Sequence, residues 1–137
     1  MSSPSTLSLE SPVEKIMHHG LLTVSGEASI AAAALEMSRG QVHCLLVPLL
    51  DDGGWGIFSE RDLMEAVAEG DLSMTVGRMA ATEVPTIEPE RTVREAAQLM
   101  SAHQCTHLVV TVHGTASGVV SALDVARALH APSLLDR

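Results

Sequence analysis

Val13-Glu14-Lys15-Ile16-Met17-His18-His19-Gly20-Leu21-Leu22-Thr23-Val24 returns 63 positions later as Val76-Gly77-Arg78-Met79-Ala80-Ala81-Thr82-Glu83-Val84-Pro85-Thr86-Ile87. Working outward, the same offset sets Glu27 on Glu90, Ala33-Ala34 on Ala96-Ala97, Met37-Ser38 on Met100-Ser101, Gln41 on Gln104, Leu45 on Leu108 and Val47 on Val110. The match runs without a gap from 13 to 47, and ten of its 35 pairs are identical. One residue is then lost from a loop, after which Gly56-Ile57-Phe58-Ser59-Glu60-Arg61-Asp62-Leu63 meets Gly118-Val119-Val120-Ser121-Ala122-Leu123-Asp124-Val125. An ungapped match of this length, closed by a shared Gly-x-x-Ser-x-x-Asp, makes the chain two copies of one unit.

Each copy reads the same way. An amphipathic turn (Val13, Ile16, Met17; Val76, Met79, Ala80) precedes a brief extended segment, Leu21 to Val24 and Val84 to Ile87. Pro85 cannot donate to a ladder and marks an edge or irregular strand. Apolar residues at i, i+3, i+4 and i+7 then predict a helix through Ile30, Ala33, Ala34 and Met37, and another through Val93, Ala96, Ala97 and Met100, with Pro89 in its first turn. A strand follows (42–47; 107–112), then a Gly- and Asp-containing turn, a second strand (56–58; 118–120), and a helix from the Ser-x-x-Asp to Gly70 or His130. The unit is βαββα and is too small to bury its own apolar face. Two copies packed sheet to sheet about a pseudo-two-fold axis would share a core, an α+β fold. The expected boundaries are a flexible polar tail over 1–11, repeats over 12–70 and 71–132, and a C-terminal tail over 133–137.

Composition narrows the function. The 137 residues are 46% hydrophobic, enough for a core, but only 1% aromatic, with Trp55, Phe58 and no Tyr. Stacking platforms for single-stranded nucleic acid need several aromatic faces. Eight Lys and Arg against 17 Asp and Glu give a net charge of −9, which also argues against nucleic acid and anionic membranes. No apolar run is long enough to span a bilayer, and the N-terminus has no secretory pattern. Cys44 and Cys105 sit in apolar surroundings and read as thiols in a reducing cytoplasm.

The doubled βαββα order, the alanine-bearing helices ending in Met37-Ser38 and Met100-Ser101, the Val42-His43-Cys44-Leu45-Leu46-Val47 strand and the repeated Gly-x-x-Ser-x-x-Asp together carry a resemblance. The chain resembles a tandem pair of CBS (cystathionine β-synthase) domains, also called a Bateman module, over about residues 12 to 132. The resemblance implies a regulatory module that binds an adenosine ligand (AMP, ADP, ATP or S-adenosylmethionine) in clefts between the repeats, without an obligatory cofactor. It would control a partner protein and form a homodimer. The alternative is a ligand-free dimerisation or interaction module, with Met64, Val67, Leu72 and Leu129 at the interface. No nucleophile–base pair or metal cluster is evident, so no enzymatic activity is expected.

Ser59-x-x-Asp62 and Ser121-x-x-Asp124 admit two readings. One is a capping box that satisfies free N–H groups at a helix start. The other is a carboxylate that accepts hydrogen bonds from ribose hydroxyls, beside a serine facing a phosphate. In the family, this Asp typically holds the ribose. By the resemblance, Ala28, Ala33, Val42, His43, Val119, Thr106 and His107 would line the Asp124 site with Ser121. Arg91, Ala96, Cys105, Thr106, Ile57, His43 and Cys44 would line the Asp62 site with Ser59. With no Tyr, aliphatic and Ala surfaces would sandwich the purine.

Arg61, Arg78, Arg91 and Arg94 are the phosphate donors near either site, although each alone reads as a surface charge. The seven His match no zinc spacing, and His18-His19 reads as an exposed pair in the opening turn. Three features depart from the family pattern, one being the acidic Pro48-Leu49-Leu50-Asp51-Asp52-Gly53-Gly54-Trp55 loop with its apolar Trp. Leu46 and Val109 stand where many such units carry Pro, and Ser121-Ala122-Leu123-Asp124 lacks a basic residue.

Overall fold

The computed structural model describes residues 7–49, 53–80 and 83–130. Its helices begin where short polar side chains can cap them. Ser29 accepts from the Ala32 N–H at the start of α1 (Ile30–Gly40), and Thr92 forms a capping box with Glu95 at the start of α4 (Val93–His103). Both helices end at a glutamine in the left-handed region, Gln41 and Gln104, each at φ 53°. The two copies thus close this helix in the same way, although glycine is the usual residue in that conformation. Ile30, Ala33 and Met37 are buried along α1, as are Val93, Ala96 and Met100 along α4, on the face the periodicity predicts. Pro89 is not in the first helical turn. Thr92 fixes the start of α4 beyond it, and the Pro89 carbonyl accepts from the Glu14 N–H.

β1 (Cys44–Pro48) pairs antiparallel with β2 (Trp55–Ser59), and β4 (His107–Val112) pairs antiparallel with β5 (Thr115–Ser121). Their register sets Cys44 opposite Ser59 and His107 opposite Ser121. The brief extended segments are shorter than the sequence suggests. In the second copy the strand is β3, Thr86–Ile87, parallel to β4; in the first it is only a bridge from Thr23 to Leu46. Pro85 contributes its carbonyl to the Val109 N–H but has no N–H to return, which limits β3. α2 (Glu60–Glu69) and α5 (Ala122–His130) follow β2 and β5, and α3 (Val76–Met79) is a single turn. None of the described helices is long and apolar enough to cross a membrane.

The chain divides into two compact units, one formed by Leu21–Val84 and the other joining Met1–Gly20 to Pro85–Arg137. These units are offset from the sequence repeats, because each repeat gives its opening turn to the other's core. Val13, in a 3-10 turn at Val13–Lys15, is fully buried with Ile87, Ala96, Met100, Leu108, Val110 and Val120. Val76 and Ala80, from the second repeat, are buried with Ile30, Leu45, Val47, Phe58 and Ala66. Of the polar stretch ahead of Val13, residues 1–6 lie outside the described residues, as does 133–137. The Leu9 and Ser11 carbonyls accept from the Arg94 and Val93 N–H groups, and Glu10 pairs with Arg94 at 2.8 Å.

The glycine of each Gly-x-x-Ser-x-x-Asp has a reason in this arrangement. The opening turn crosses the second strand of the hairpin there. A Cβ on Gly118 would lie 2.7 Å from the His18 carbonyl oxygen, and one on Gly56 would meet the Ala80 carbonyl oxygen. Only a residue without a side chain lets the two backbones approach so closely.

Glu95 gives the capping box of α4 a pH dependence. The Thr92 N–H, more than nearby Arg91, holds the Glu95 carboxyl below its ordinary value. A depressed carboxyl stabilises the fold fully above its unfolded pKa, and the contribution is lost as pH falls through the folded value. Glu95→Gln is therefore expected to lower the melting temperature at pH 7. Thermal melts should show the gap between variant and wild type closing as the solution is acidified below the usual carboxylate range.

Candidate functional site

The two repeated carboxylates are held in nearly the same way. Ser59 is the N-cap of α2. Asp62 Oδ2 accepts from the Ser59 N–H at 2.8 Å and from its hydroxyl at 3.1 Å, and Ser59 Oγ accepts from the Asp62 N–H at 3.4 Å. At the start of α5, Asp124 Oδ2 accepts from the Ser121 N–H at 2.8 Å and its hydroxyl at 3.0 Å, with the Asp124 N–H to Ser121 Oγ at 3.2 Å. The capping reading is thus realised at both positions, and it occupies only one oxygen of each carboxylate. The negative charges sit at helix N-termini, where the macrodipole favours them. The residue after each serine is tied down alike: the Glu60 N–H donates to the His43 carbonyl and the Ala122 N–H to the Thr106 carbonyl.

The second oxygens differ. Among the described residues Asp62 Oδ1 has no hydrogen-bond partner, and Asp62 is half-buried. Asp124 is 3% exposed, and its Oδ1 lies 2.9 Å from His18 Nε2 and 3.5 Å from Arg127 Nη1. His18 reaches it because its backbone pairs with β5: the His18 N–H donates to the Val119 carbonyl and the Val119 N–H to the His18 carbonyl. The His18 side chain is 65% exposed, as the sequence suggests, yet its tip closes a buried carboxylate. Sequence pattern gives no signal for this contact. Arg127, three residues beyond Asp124 on α5, was within reach of a helical-spacing argument.

The other expected lining residues take varied positions. In the unit of residues 21–84, Ala28, Val42 and Ile57 are half-buried and His43 is exposed, its Nδ1 2.8 Å from Glu60 Oε2. In the other unit, Cys105 and His107 are half-buried. Thr106 is exposed, its hydroxyl 3.1 Å from His107 Nδ1. Ala33, Ala96 and Val119 are buried, and the two alanines belong to the helix faces that fill the cores. Cys44 is half-buried, and neither cysteine is in a disulfide.

The arginines are largely committed. Arg91 pairs with Glu95 at 3.3 Å and Glu88 at 3.6 Å, Arg94 with Glu10, and Arg61 with Glu65 at 3.9 Å. Arg78 has no ion pair among the described residues. Arg91 also borders a concavity of ≈ 600 Å³ with Thr86, Ile87, Glu95, Leu99 and Thr111. None of Ser59, Asp62, Ser121 or Asp124 lines that concavity, so it is not the place of the paired carboxylates. No group of three metal-ligating side chains is found among the described residues.

Comparison with known proteins follows the repeat. The family model of the CBS domain matches twice, over residues 13–69 and 76–131. The CBS domain-containing protein YhcV of Bacillus subtilis is 29% identical over 119 residues, covering 85% of this chain and 84% of that protein. A hexameric CBS-CP12 protein from bloom-forming cyanobacteria superposes with a TM-score of 0.77 at 23% identity, covering 93% of this chain and 75% of that one. The CBS domain pair of protein MJ0100, solved in complex with 5'-methylthioadenosine and S-adenosyl-L-methionine, superposes with a TM-score of 0.70 at 22% identity, covering 85% of this chain and 98% of that one.

Proposed function

The chain belongs to the CBS-domain family as a tandem pair, a regulatory module, and from that premise we propose that it binds an adenosine compound through its Ser-x-x-Asp carboxylates. A partner protein would read the bound state. The observation that carries this reading is the half-used Asp62 carboxylate: one oxygen caps α2, and the other has no partner among the described residues. A carboxylate so fixed can accept from a ribose hydroxyl without first rearranging. The complex of the MJ0100 pair with two adenosine compounds supports the same ligand class. Regulation of the partner would draw on a coupling free energy of about 1–3 kcal/mol.

Thermal melting in the presence of each compound tests the reading. A ligand at a hundred times its dissociation constant stabilises the fold by about 2.7 kcal/mol. The rise in melting temperature should be present in wild type, smaller in Asp62→Asn, whose amide oxygen can still cap α2, and largely lost when Asp124→Asn is combined with it. If no adenosine compound at millimolar concentration moves the melting temperature, the ligand reading is wrong.

A second reading, a homodimerisation or interaction module, rests on apolar side chains left in solvent. Met64 and Val67 on α2, Leu72 after it, and Leu123 and Leu129 on α5 are all exposed. Under it, melting stays unchanged in every compound while light scattering gives twice the mass of one chain.

A further inference from the structure

We propose that His18 is a built-in competitor for the Asp124 carboxylate, so that the two repeated acids are not equivalent and ligand fills the Asp62 position before the Asp124 position. This inference rests on the ligand reading above. The offset that relates the repeats sets Ala81 where the first repeat has His18, and alanine carries no side-chain donor. His18 Nε2 stands 2.9 Å from the one Asp124 oxygen that the cap leaves over, the oxygen equivalent to Asp62 Oδ1. A ribose hydroxyl seeking Asp124 must displace the imidazole. One seeking Asp62 meets no such occupant among the described residues.

The latch is anchored from behind. Mutual backbone hydrogen bonds between His18 and Val119 hold the turn on β5, and Gly118 leaves room for its carbonyl. The ring itself stays largely in solvent, so it can swing away without opening the core.

Arg127, three residues on along α5, lies 3.5 Å from the same Asp124 oxygen, so a ribose hydroxyl arriving there meets two donors already in place. The Asp62 oxygen has neither among the described residues.

The probe is 5'-methylthioadenosine, which carries the ribose hydroxyls and is uncharged at pH 7.5. It is titrated at that pH into labelled wild type, His18→Ala and His18→Gln, following the Ser59 and Ser121 amide resonances. In wild type the Ser121 amide should respond at about fivefold higher concentration than in His18→Ala, the size of one net hydrogen bond. His18→Gln keeps a side-chain donor, so its Ser121 midpoint should lie above that of His18→Ala. The Ser59 amide should respond alike in all three proteins. Equal Ser121 midpoints in wild type and His18→Ala would overturn the latch while leaving the ligand reading intact. If neither amide moves in any protein, the ligand reading fails. The latch is then decided by hydrogen exchange of the Val119 amide, which donates to the His18 carbonyl: about fivefold faster exchange in His18→Ala supports it, and unchanged exchange overturns it.

Discussion

Deleting residues 1–20 is expected to strip protection from α4, β4 and β5 far more than from β1 and β2, although the deleted segment opens the first repeat. Val13 is fully buried in the core that contains Leu108, Val110 and Val120. Burying one such side chain is worth about 1.5–3 kcal/mol. The deletion also removes the hydrogen bonds from Val13 to Arg91, Glu14 to Pro89, Val93 to Ser11 and Arg94 to Leu9, and the mutual pair of His18 and Val119. Each contributes about 1 kcal/mol net. The total loss should exceed about 3 kcal/mol, a large share of a small fold's stability. Native-state hydrogen exchange checks it. Equal loss of protection in β1 and β4 would show that the opening turn does not belong to the second core.

Phe58→Ala should be the most damaging single substitution in the Leu21–Val84 unit. Phe58 is fully buried on β2, opposite Leu45, in a core otherwise built from Ile30, Ala33, Met37, Val47, Ala66, Val76 and Ala80. No other aromatic ring is in this core and its aliphatic neighbours fill the space only in part, so a cavity should remain, at a cost of about 3–5 kcal/mol. The repeat-related position is Val120, where truncation removes less volume and should cost less. Trp55 lies on the same strand and is the one tryptophan of the chain, so its fluorescence during denaturant unfolding reports this unit directly. A midpoint shift no larger than that of Val120→Ala would mean that the first core repacks around the missing ring.

Pattern alone located the helices and hairpins, because their signals are local. The i, i+3, i+7 run from Ile30 to Met37, the serine three residues before Asp62 and the matching stretch before Asp124 all lie within two helical turns. Pro89 misled because proline marks a helix start only loosely, whereas the Thr92–Glu95 capping box, written in the same stretch, fixed it. The candidate site was legible to the same depth. Ser59 with Asp62 and Ser121 with Asp124 do come together, since three residues at a helix start cannot avoid one another. Ala33 and Ala96, expected beside a purine, are wholly buried in the cores instead, and periodicity does not report depth within a core.

By itself, then, the sequence determined the duplication, the αββα order shared by both copies and the capping of both carboxylates, because these depend on neighbours a few residues apart. Only the tertiary structure decided which core receives each opening turn, why Gly56 and Gly118 must lack side chains, and that His18 rather than solvent meets Asp124. Those outcomes join residues far apart in the chain, His18 with Asp124 and Met17 with Gly118. Strand register and the crossing of one backbone over another place them, and no local period encodes either.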